Sequence, residues 1–441
     1  MNARTTRRQS SVPAGRIERF MQLGLMAGEL VIGGVIEGVR RAGDTKPSES
    51  NPMLNARTAH RIAERLSRMR GAAMKLGQLL SLEGPDFLPP EFASALSILR
   101  AGADPMPQAQ LRRVVAREYG AGWEQHFEFF DETPIAAASI GQVHRALSAD
   151  GRELALKIQY PGVAQSIDSD VNNVAGLLRL LKLLPSNVDV RDTIAEAKRQ
   201  LHQEADYLQE ADLLERYRKL VADEPRVLVP RVHRDLSTKR ILAMDYVEGE
   251  AMENLIQDGV SQSQRNAIGR LLMQLVFREL FEFRFMQTDP NFANYLYDPR
   301  SKRIVLLDFG SVRKFDMRFV GKYVKLCRAI VTNDWDGVRR AGIEVGYIER
   351  NAPPEVIESS VDLMMMTCEP LRHRGPYDFS ASGIPQRTRE AGFDLLMRSD
   401  YLLTPPPETL FLHRKLAGSF LILARIGARV NVHALIKPFL E

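Results

Sequence analysis

Two short segments in the second half of the sequence carry the acidic and amide side chains that phosphoryl transfer requires. Asp289 is followed by Asn294 in a D-x-x-x-x-N pattern, and Asp308 opens the triplet Asp308-Phe309-Gly310. Phosphoryl transfer needs a carboxylate that orients the attacking hydroxyl and oxygen ligands that hold Mg²⁺ on the nucleotide phosphates. The pattern therefore predicts that Asp289 is catalytic and that Asn294 and Asp308 bind the metal, as in a protein kinase.

A single lysine, Lys157, interrupts the apolar run Leu154–Ile158, which predicts a β-strand. Burying a lysine is costly without an anionic partner, so we expect a phosphate or a carboxylate beside it. In kinases this lysine contacts the nucleotide phosphates and pairs with a glutamate from a helix. Three acidic residues of a predicted helix are candidates for that pairing: Glu204, Asp206 and Glu210. A lysine on an edge strand that points to solvent is the alternative.

The segment before this strand differs from an ordinary kinase. Three alanines, Ala136, Ala137 and Ala138, and then Ser139 stand where a glycine-rich loop would cover the phosphates. Glycine lets backbone amides approach a phosphate closely, whereas the methyl group of alanine restricts the backbone. We therefore expect a stiffer loop with altered phosphate contacts.

The tetrapeptide His233–Leu236 spells the beginning of a usual kinase catalytic loop, but Arg240 stands where that loop needs an asparagine. It also precedes the apolar run Arg240–Tyr246, which predicts the last strand of a small lobe. We therefore interpret His233–Leu236 as a turn between strands.

A hinge is expected where this predicted strand ends. Its position makes Met244 the gatekeeper of the nucleotide site. The carbonyl of Asp245 and the amide of Val247 are then assigned to the adenine base.

The pattern of apolar and turn residues predicts the elements that must position these side chains. The predicted strands are Phe127–Phe130, Ser139–Ala146, Glu153–Gln159, Val227–Val232, Arg240–Tyr246 and Arg303–Asp308. The predicted helices are Gln108–Tyr119, a long helical region over Val163–Leu220, and most of the chain after Tyr246. This order predicts an α+β, two-lobed protein-kinase-like fold with an additional helical N-terminal extension.

Four parts follow from that order. Residues 1–52 are expected to hold an amphipathic helix and a linker, and residues 53–125 a helical extension. Residues 126–249 would form the small lobe and residues 250–441 the helical large lobe. The apolar stretch Phe20–Val39 is a poor membrane span because Glu29 and Glu37 interrupt it; it predicts a helix that packs on the protein or lies in a membrane interface.

Composition narrows the class of protein. The 441 residues include 60 Lys and Arg against 55 Asp and Glu, and the resulting charge of +5 is too weak to indicate a nucleic-acid binder. Two cysteines, Cys327 and Cys368, lack metal or redox spacing, which predicts a reducing compartment without disulfides. We expect a cytoplasmic protein that does not span a membrane; peripheral contact with the inner membrane is compatible with its front helix.

Together these residues resemble the UbiB (AarF/ADCK) family of atypical kinases, from about Val12 to about Gly427. The segments that carry the resemblance are Lys75-Leu76-Gly77-Gln78, the alanine-rich loop Ala136–Ser139 (the alanine loop), Lys157 with Gln159–Val163, Glu204-Ala205-Asp206, Thr288–Asn294, Asp308–Gly310 and Leu412–Gly418.

In such proteins the K-x-G-Q helix covers the place where a protein kinase receives its peptide, and its lysine couples to the E-x-D acids. The resemblance implies that Lys75 and Gln78 lie near Glu204 and Asp206 in a regulatory role, which leaves Glu210 for Lys157. It also implies ubiquinone biosynthesis, binding of lipid-like molecules or quinone precursors, ATPase activity more readily than protein phosphorylation, and an alanine loop that favours ADP. Some bacterial relatives end in two transmembrane helices, which the charged residues 408–441 cannot form.

Two functions are compatible with these residues. The first is an atypical kinase or ATPase that uses ATP or ADP with Mg²⁺. The second is a binding module in which nucleotide moves the N-terminal extension and so gates a lipid or protein partner. The complete set Lys157, Asp289, Asn294 and Asp308 favours chemistry. A conventional protein kinase is the weakest interpretation because no A-P-E segment follows Gly310. The sequence leaves open the phosphate acceptor, the lipid and the oligomeric state; a homodimer is compatible.

Overall fold

The computed structural model describes Lys75 and residues 105–138, 140–180, 191–256, 259–384, 386–388, 390–392 and 407–441. The helix expected at Phe20–Val39, most of the expected extension, Gln78 and Ser139 lie outside the described residues. The chain divides into two compact units. The first holds the described residues up to Glu215 with Pro230–Val247, and the second holds Arg216–Val229 with Glu248–Glu441.

Helices and short strands alternate along the described residues. The helices are α1 (Gln108–Tyr119), α2 (Val163–Leu180), α3 (Arg191–Glu204), α4 (Tyr207–Leu220), α5 (Gln262–Phe277), α6 (Met317–Val331), α7 (Trp335–Val345), α8 (Pro354–Thr367), α9 (Glu369–Arg372), α10 (Pro407–Arg425) and α11 (Val432–Ile436). The strands are β1 (Phe127–Phe130), β2 (Ala136–Ala137), β3 (Gly141–Ser148), β4 (Glu153–Gln159), β5 (Val227–Leu228), β6 (Ile241–Asp245), β7 (Glu250–Ala251), β8 (Phe285–Gln287), β9 (Tyr295–Asp298), β10 (Arg303–Leu306), β11 (Val312–Lys314), β12 (Tyr377–Asp378) and β13 (Arg429–Val430).

The first unit is built on an antiparallel sheet in the order β1-β3-β4-β6, with β2 paired to β3. Strand β4 is central, and every residue after Glu153 in it is buried. Its apolar side chains drive this burial, while the backbone groups are satisfied by pairing with β3 and β6 on either side. Lys157 therefore enters the interior on a strand that is paired along both edges.

The long helical region predicted over Val163–Leu220 is several helices in the structure. Between α3 and α4, the side chain of Asp206 accepts hydrogen bonds from the backbone N–H groups of Leu208 and Gln209, at 3.1 and 3.3 Å. An aspartate in this position caps the N-terminus of a helix, so it ends one helix and begins the next. This residue sets the direction in which α4 leaves the turn.

The second unit is mainly helical, with a small sheet in the order β5-β10-β9-β7. Strand β5 pairs in parallel with β10, which explains why the segment Arg216–Val229 belongs to this unit although it precedes β6 in the chain. Two further strand pairs, β8 with β11 and β12 with β13, complete it. Strands β7, β8, β9, β11, β12 and β13 lie where the sequence predicts mostly helix, so the prediction is wrong there, whereas β10 lies within the predicted strand Arg303–Asp308. None of the described helices is both long and apolar enough to cross a bilayer.

Gly141 supplies a test of the packing in the first unit. A Cβ atom there would lie 2.5 Å from the carbonyl oxygen of Ile158 and 2.9 Å from the hydroxyl of Tyr207. We expect Gly141→Ala to lower the free energy of unfolding by about 1–3 kcal/mol, because neighbouring backbone would have to move. The matched control is Gly176→Ala in α2, where nothing lies within 4 Å. That change should stabilise the helix by about 0.5–1 kcal/mol. Urea denaturation measures the free energy of unfolding of both variants. Equal changes in Gly141→Ala and Gly176→Ala would contradict the packing described at Gly141.

Candidate active site

The loop that carries Asp289 runs from the end of β8 to the start of β9 and closes in a 3₁₀ turn, Phe292–Asn294. Within it, the side-chain N–H of Asn294 donates to the carbonyl oxygen of Asp289 at 2.9 Å. This bond fixes the amide of Asn294 so that its oxygen is the end available to a cation. The loop thus leaves one amide oxygen without this bond, next to the residue predicted to be catalytic.

Asp308 follows β10 directly. One of its carboxylate oxygens accepts the N–H of Gly310 at 2.9 Å, and the ring of Phe309 is fully buried with its centroid 4.7 Å from that of Tyr217. The N–H of Leu307 donates to the carbonyl oxygen of Asn294 at 3.0 Å. The two segments that carry the predicted metal ligands are therefore joined by a hydrogen bond one residue before Asp308.

The chemistry of these two side chains fits Mg²⁺. This ion prefers oxygen ligands and is commonly held by one or two protein groups together with phosphate oxygens and water. Asn294 and Asp308 offer an amide oxygen and a carboxylate. Within the described part of the chain, no group of three or more His, Cys, Asp or Glu side chains could hold a metal ion.

A buried side chain that the sequence analysis missed, Gln287, links the two segments. Its Nε2 donates to the carbonyl oxygen of Asp289 at 2.8 Å and to that of Asp308 at 3.4 Å. Its Oε1 accepts from the Nζ of Lys415 at 3.1 Å. A glutamine at the end of a short apolar strand was the only local signal of this role.

Lys415 is itself held by a buried carboxylate. Its Nζ lies 3.1 Å from Glu279, which is 0% exposed and lies in the π-helical turn Arg278–Glu282 after α5. Burial works to lower the pKa of Lys415, but the nearby Glu279 and Tyr295 raise it above its ordinary value overall. The ammonium group therefore stays protonated and acts as a donor. Tyr217 donates to Glu279 at 2.7 Å, and burial keeps the pKa of this tyrosine well above its ordinary value.

Helix α10 also holds the loop from the side of Thr288. The guanidinium of Arg414 donates to the carbonyl oxygen of Thr288 at 2.7 Å and to the hydroxyl of Ser311 at 2.9 Å. A Cβ at Gly418 would lie 2.2 Å from the Cγ of Pro290, so only glycine permits this approach of α10 to the loop. The structure thus explains the segment Leu412–Gly418, to which the sequence analysis assigned no role.

In the first unit, Lys157 pairs with Glu210 of α4 at 2.8 Å, and both side chains are buried. Of the three acidic candidates, Glu210 is the partner. Lys75 pairs with Glu204 at 3.2 Å, while Asp206 caps α4 as described above. The structure therefore brings together Lys75 and Glu204 of the predicted regulatory group.

The alanine loop forms part of the sheet. Ala136 and Ala137 lie in β2 opposite Val143 and Gln142, and the N–H of Ala138 donates to the carbonyl oxygen of Gly141 at 2.8 Å. The backbone is extended and hydrogen-bonded here, which any residue with a Cβ can adopt. Alanine at positions 136, 137 and 138 is therefore compatible with the backbone seen there.

The end of β6 lies where the hinge was predicted. Met244 is buried opposite Ala155, and Asp245 accepts a 2.7 Å hydrogen bond from the ring of His233. Val247 follows the strand.

The segment Arg234–Leu236 is a 3₁₀ turn that leads into β6, and Arg152 donates to both carboxylate oxygens of Asp235. The interpretation of His233–Leu236 as a turn is confirmed.

The pairing of Lys157 with Glu210 generates a stability prediction. Lys157→Met leaves a buried carboxylate without its cation, so we expect the free energy of unfolding to fall by about 3–5 kcal/mol. The double variant Lys157→Met/Glu210→Gln should recover most of that loss because it buries no charge. Arg145→Met is the control, since its partner Glu153 is 56% exposed; its effect should stay within about 1 kcal/mol. Urea denaturation distinguishes these outcomes, and a double variant no more stable than the single one would contradict the pairing.

The sequence matches the ABC1 atypical kinase-like domain over residues 98–342. It is 39% identical to the mitochondrial atypical kinase COQ8 of Saccharomyces cerevisiae, in an alignment that covers 98% of this chain and 86% of the relative. It is 38% identical to the mitochondrial atypical kinase COQ8B of Rattus norvegicus, covering 96% and 80%.

Among solved structures, Rv3197 of Mycobacterium tuberculosis, in a complex with erythromycin, matches with a TM-score of 0.63 and 28% sequence identity. The match covers 87% of this chain and 97% of that one. The predicted kinase-like fold and the family resemblance are both confirmed. These matches show that the chain belongs to the ABC1 (UbiB, AarF/ADCK) family of atypical kinases.

Proposed function

We propose that this atypical kinase binds ATP or ADP with Mg²⁺ and either hydrolyses ATP or transfers its terminal phosphoryl group. The observation that carries the proposal is the arrangement of Asn294 and Asp308. Two oxygen-bearing side chains lie on segments joined by a backbone hydrogen bond, beside the loop of Asp289. A bound Mg²⁺ would neutralise charge on the phosphate oxygens.

Each predicted site residue then has a proposed role. Asp289 orients the attacking hydroxyl or water. Lys157, held in place by Glu210, contacts the phosphates. In the first unit the alanine loop, with Ser139, covers the phosphates, while Met244, the carbonyl of Asp245 and the amide of Val247 receive the adenine. The burial of Met244 in β6 fits the gatekeeper role.

The physiological setting is proposed from the relatives. The match to COQ8 proteins over nearly the whole chain supports a role in isoprenoid quinone (ubiquinone) biosynthesis or lipid homeostasis. A lipid or a phenolic quinone precursor is the ligand that this role requires. We also propose a cytoplasmic protein that touches the inner membrane peripherally.

Turnover of ATP by three aspartate variants tests the enzyme proposal. Asp289→Asn and Asp308→Asn should each lower Mg²⁺-dependent ATP hydrolysis by about 100-fold or more, because one removes the orienting carboxylate and the other a charged metal ligand. Asp235→Asn is the matched control, since this aspartate occupies the kinase-like tetrapeptide but forms a structural ion pair with Arg152. Its rate should change by less than about threefold, in line with the small energy of an exposed ion pair.

These assays are run with and without anionic liposomes and a phenol that mimics a quinone precursor. Stimulation of the wild type by lipid or phenol supports the proposed setting. A wild type that binds the Mg²⁺ nucleotide without turnover under every condition would contradict the enzyme proposal, as would full activity in Asp308→Asn.

One observation favours a second candidate, the nucleotide-gated binding module. Lys75, which precedes the kinase-like sheet in the chain, is buried against Glu204 at the end of α3. Glu204 is separated from α4 by only the turn at Ala205 and Asp206, and α4 carries Glu210, the partner of Lys157. A nucleotide that draws Lys157 away from Glu210 would therefore act on α4, the helix that follows the contact between Lys75 and Glu204.

In the gated module, binding of anionic vesicles should differ between the ADP and ATP states, and Lys75→Met should remove that difference. The reason is that this variant breaks the contact between the extension and α3. Arg199→Met on the same helix is the control, since that side chain is 67% exposed and its ion pair with Glu196 is local. Vesicle flotation measures the effect. Equal vesicle binding in both nucleotide states of the wild type would reject gating.

A further inference from the structure

The carbonyl groups beside the two key aspartates are held by one buried side chain. Gln287 is 2% exposed, and its NH₂ group donates to the backbone carbonyls of Asp289 and Asp308. These carbonyls belong to the same residues whose carboxylates are assigned to the nucleophile and to the metal. A change in the position of the Gln287 amide would therefore shift both residues together.

A glutamine amide can be turned by 180° with little change in shape, because its oxygen and nitrogen ends have nearly the same size. Only one orientation presents its donors to the two carbonyls. Lys415 selects that orientation, since an ammonium group offers donors and no acceptor, and it lies 3.1 Å from the Gln287 oxygen. The lysine therefore decides which way the glutamine faces.

Lys415 is placed by Glu279 and Tyr295, at 3.1 and 3.4 Å from its Nζ. Glu279 in turn accepts from Tyr217 and from the backbone N–H of Gln287, the latter at 3.4 Å. These contacts form a connected group of buried residues, all within the second unit. We name Gln287, Lys415 and Glu279 the amide clamp.

Stability alone does not explain this arrangement. Replacing a buried ion pair by well-packed neutral side chains is often neutral or stabilising, because both charges lose their hydration when they are buried. A role in setting geometry accounts for a lysine and a glutamate that are 3% and 0% exposed.

We propose that Lys415 and Glu279 are positioning residues that orient the Gln287 amide and through it set where Asp289 and Asp308 lie for phosphoryl transfer. The proposal rests on the proposed function for its catalytic meaning. Its structural content, that the clamp holds the two segments, stands on the hydrogen bonds alone.

The experiment compares two clamp variants with a matched control in the full-length protein. Gln287→Leu removes the amide without adding a charge. Lys415→Met/Glu279→Gln removes both charges together, so that neither stays buried alone. Arg278→Met is the control, since Arg278 is also buried and ion-paired, lies next to Glu279, and pairs with Asp223 and Glu282.

Hydrogen exchange of backbone amides, followed by mass spectrometry of peptides covering 288–296 and 307–313, is the first readout. Both clamp variants should exchange about 10-fold faster or more in these two segments and at wild-type rates elsewhere. The second readout is the Mg²⁺ concentration for half-maximal ATP hydrolysis, which should rise about 10- to 100-fold, the usual range when groups that orient metal ligands are lost. Arg278→Met should leave both quantities unchanged.

A combined variant tests whether the lysine acts through the glutamine. The triple variant combines Gln287→Leu with Lys415→Met/Glu279→Gln. In each readout its shift should be no larger than that of whichever of these two clamp variants has the larger effect, because both remove the same constraint. Fully additive effects would overturn the proposal. A clamp variant that lowers the melting temperature but does not speed exchange specifically in the two segments would also overturn the proposal, because that result indicates a merely structural role.

The two proposals fail in different ways. If the wild type shows no Mg²⁺-dependent turnover, the proposed function falls, while the exchange rates still decide whether the clamp holds the segments. If the double variant Lys415→Met/Glu279→Gln does not fold, Gln287→Leu alone tests the inference. Unchanged exchange in the two segments of Gln287→Leu would then overturn it.

Discussion

An ammonium group that leaves water needs a carboxylate beside it, and this constraint organises both units of the chain. Among the described residues the buried lysines are Lys75, Lys157 and Lys415, and each lies within 3.2 Å of a buried glutamate. Each pair joins parts that are distant in the sequence. The pairs therefore fix how helices lie against the elements that carry the chemistry, which apolar packing alone specifies less sharply.

In the second unit this constraint works through backbone carbonyls. The loop of Asp289 and the segment of Asp308 contain little regular structure, so their carbonyl groups need partners from elsewhere. Gln287 and Arg414 supply donors to them, and Lys415 holds Gln287 in turn. Helix α10 can contribute two of these side chains only because Gly418 lets it lie directly against Pro290.

The first unit uses the same principle on a sheet. The central strand β4 carries Lys157 inward, and the turn capped by Asp206 directs α4 so that Glu210 meets it. The kinase-like tetrapeptide in this unit, His233–Leu236, has a structural role, because its polar side chains pair with Arg152 and Asp245 and stabilise the approach to β6. Resemblance of a short motif to a catalytic loop is thus weaker information than its place in the order of strands.

The sequence by itself determined the kinase-like fold class, the helix Gln108–Tyr119 and the strand of Lys157, and it proposed the set Asp289, Asn294 and Asp308, because spacing and periodicity within a short segment are properties of the local chain. The residues alone leave Glu204, Asp206 and Glu210 as candidates for Lys157, and the family resemblance implies Glu210. The tertiary structure shows this pairing, since a helix break separates the directions of the three acidic side chains. The tertiary structure also decided the short strands after Tyr246 other than β10, which exist through pairing and not through periodicity. The contact of Lys415 with Gln287 joins residues 128 positions apart, and no local pattern encodes a contact that arises only when distant segments pack together.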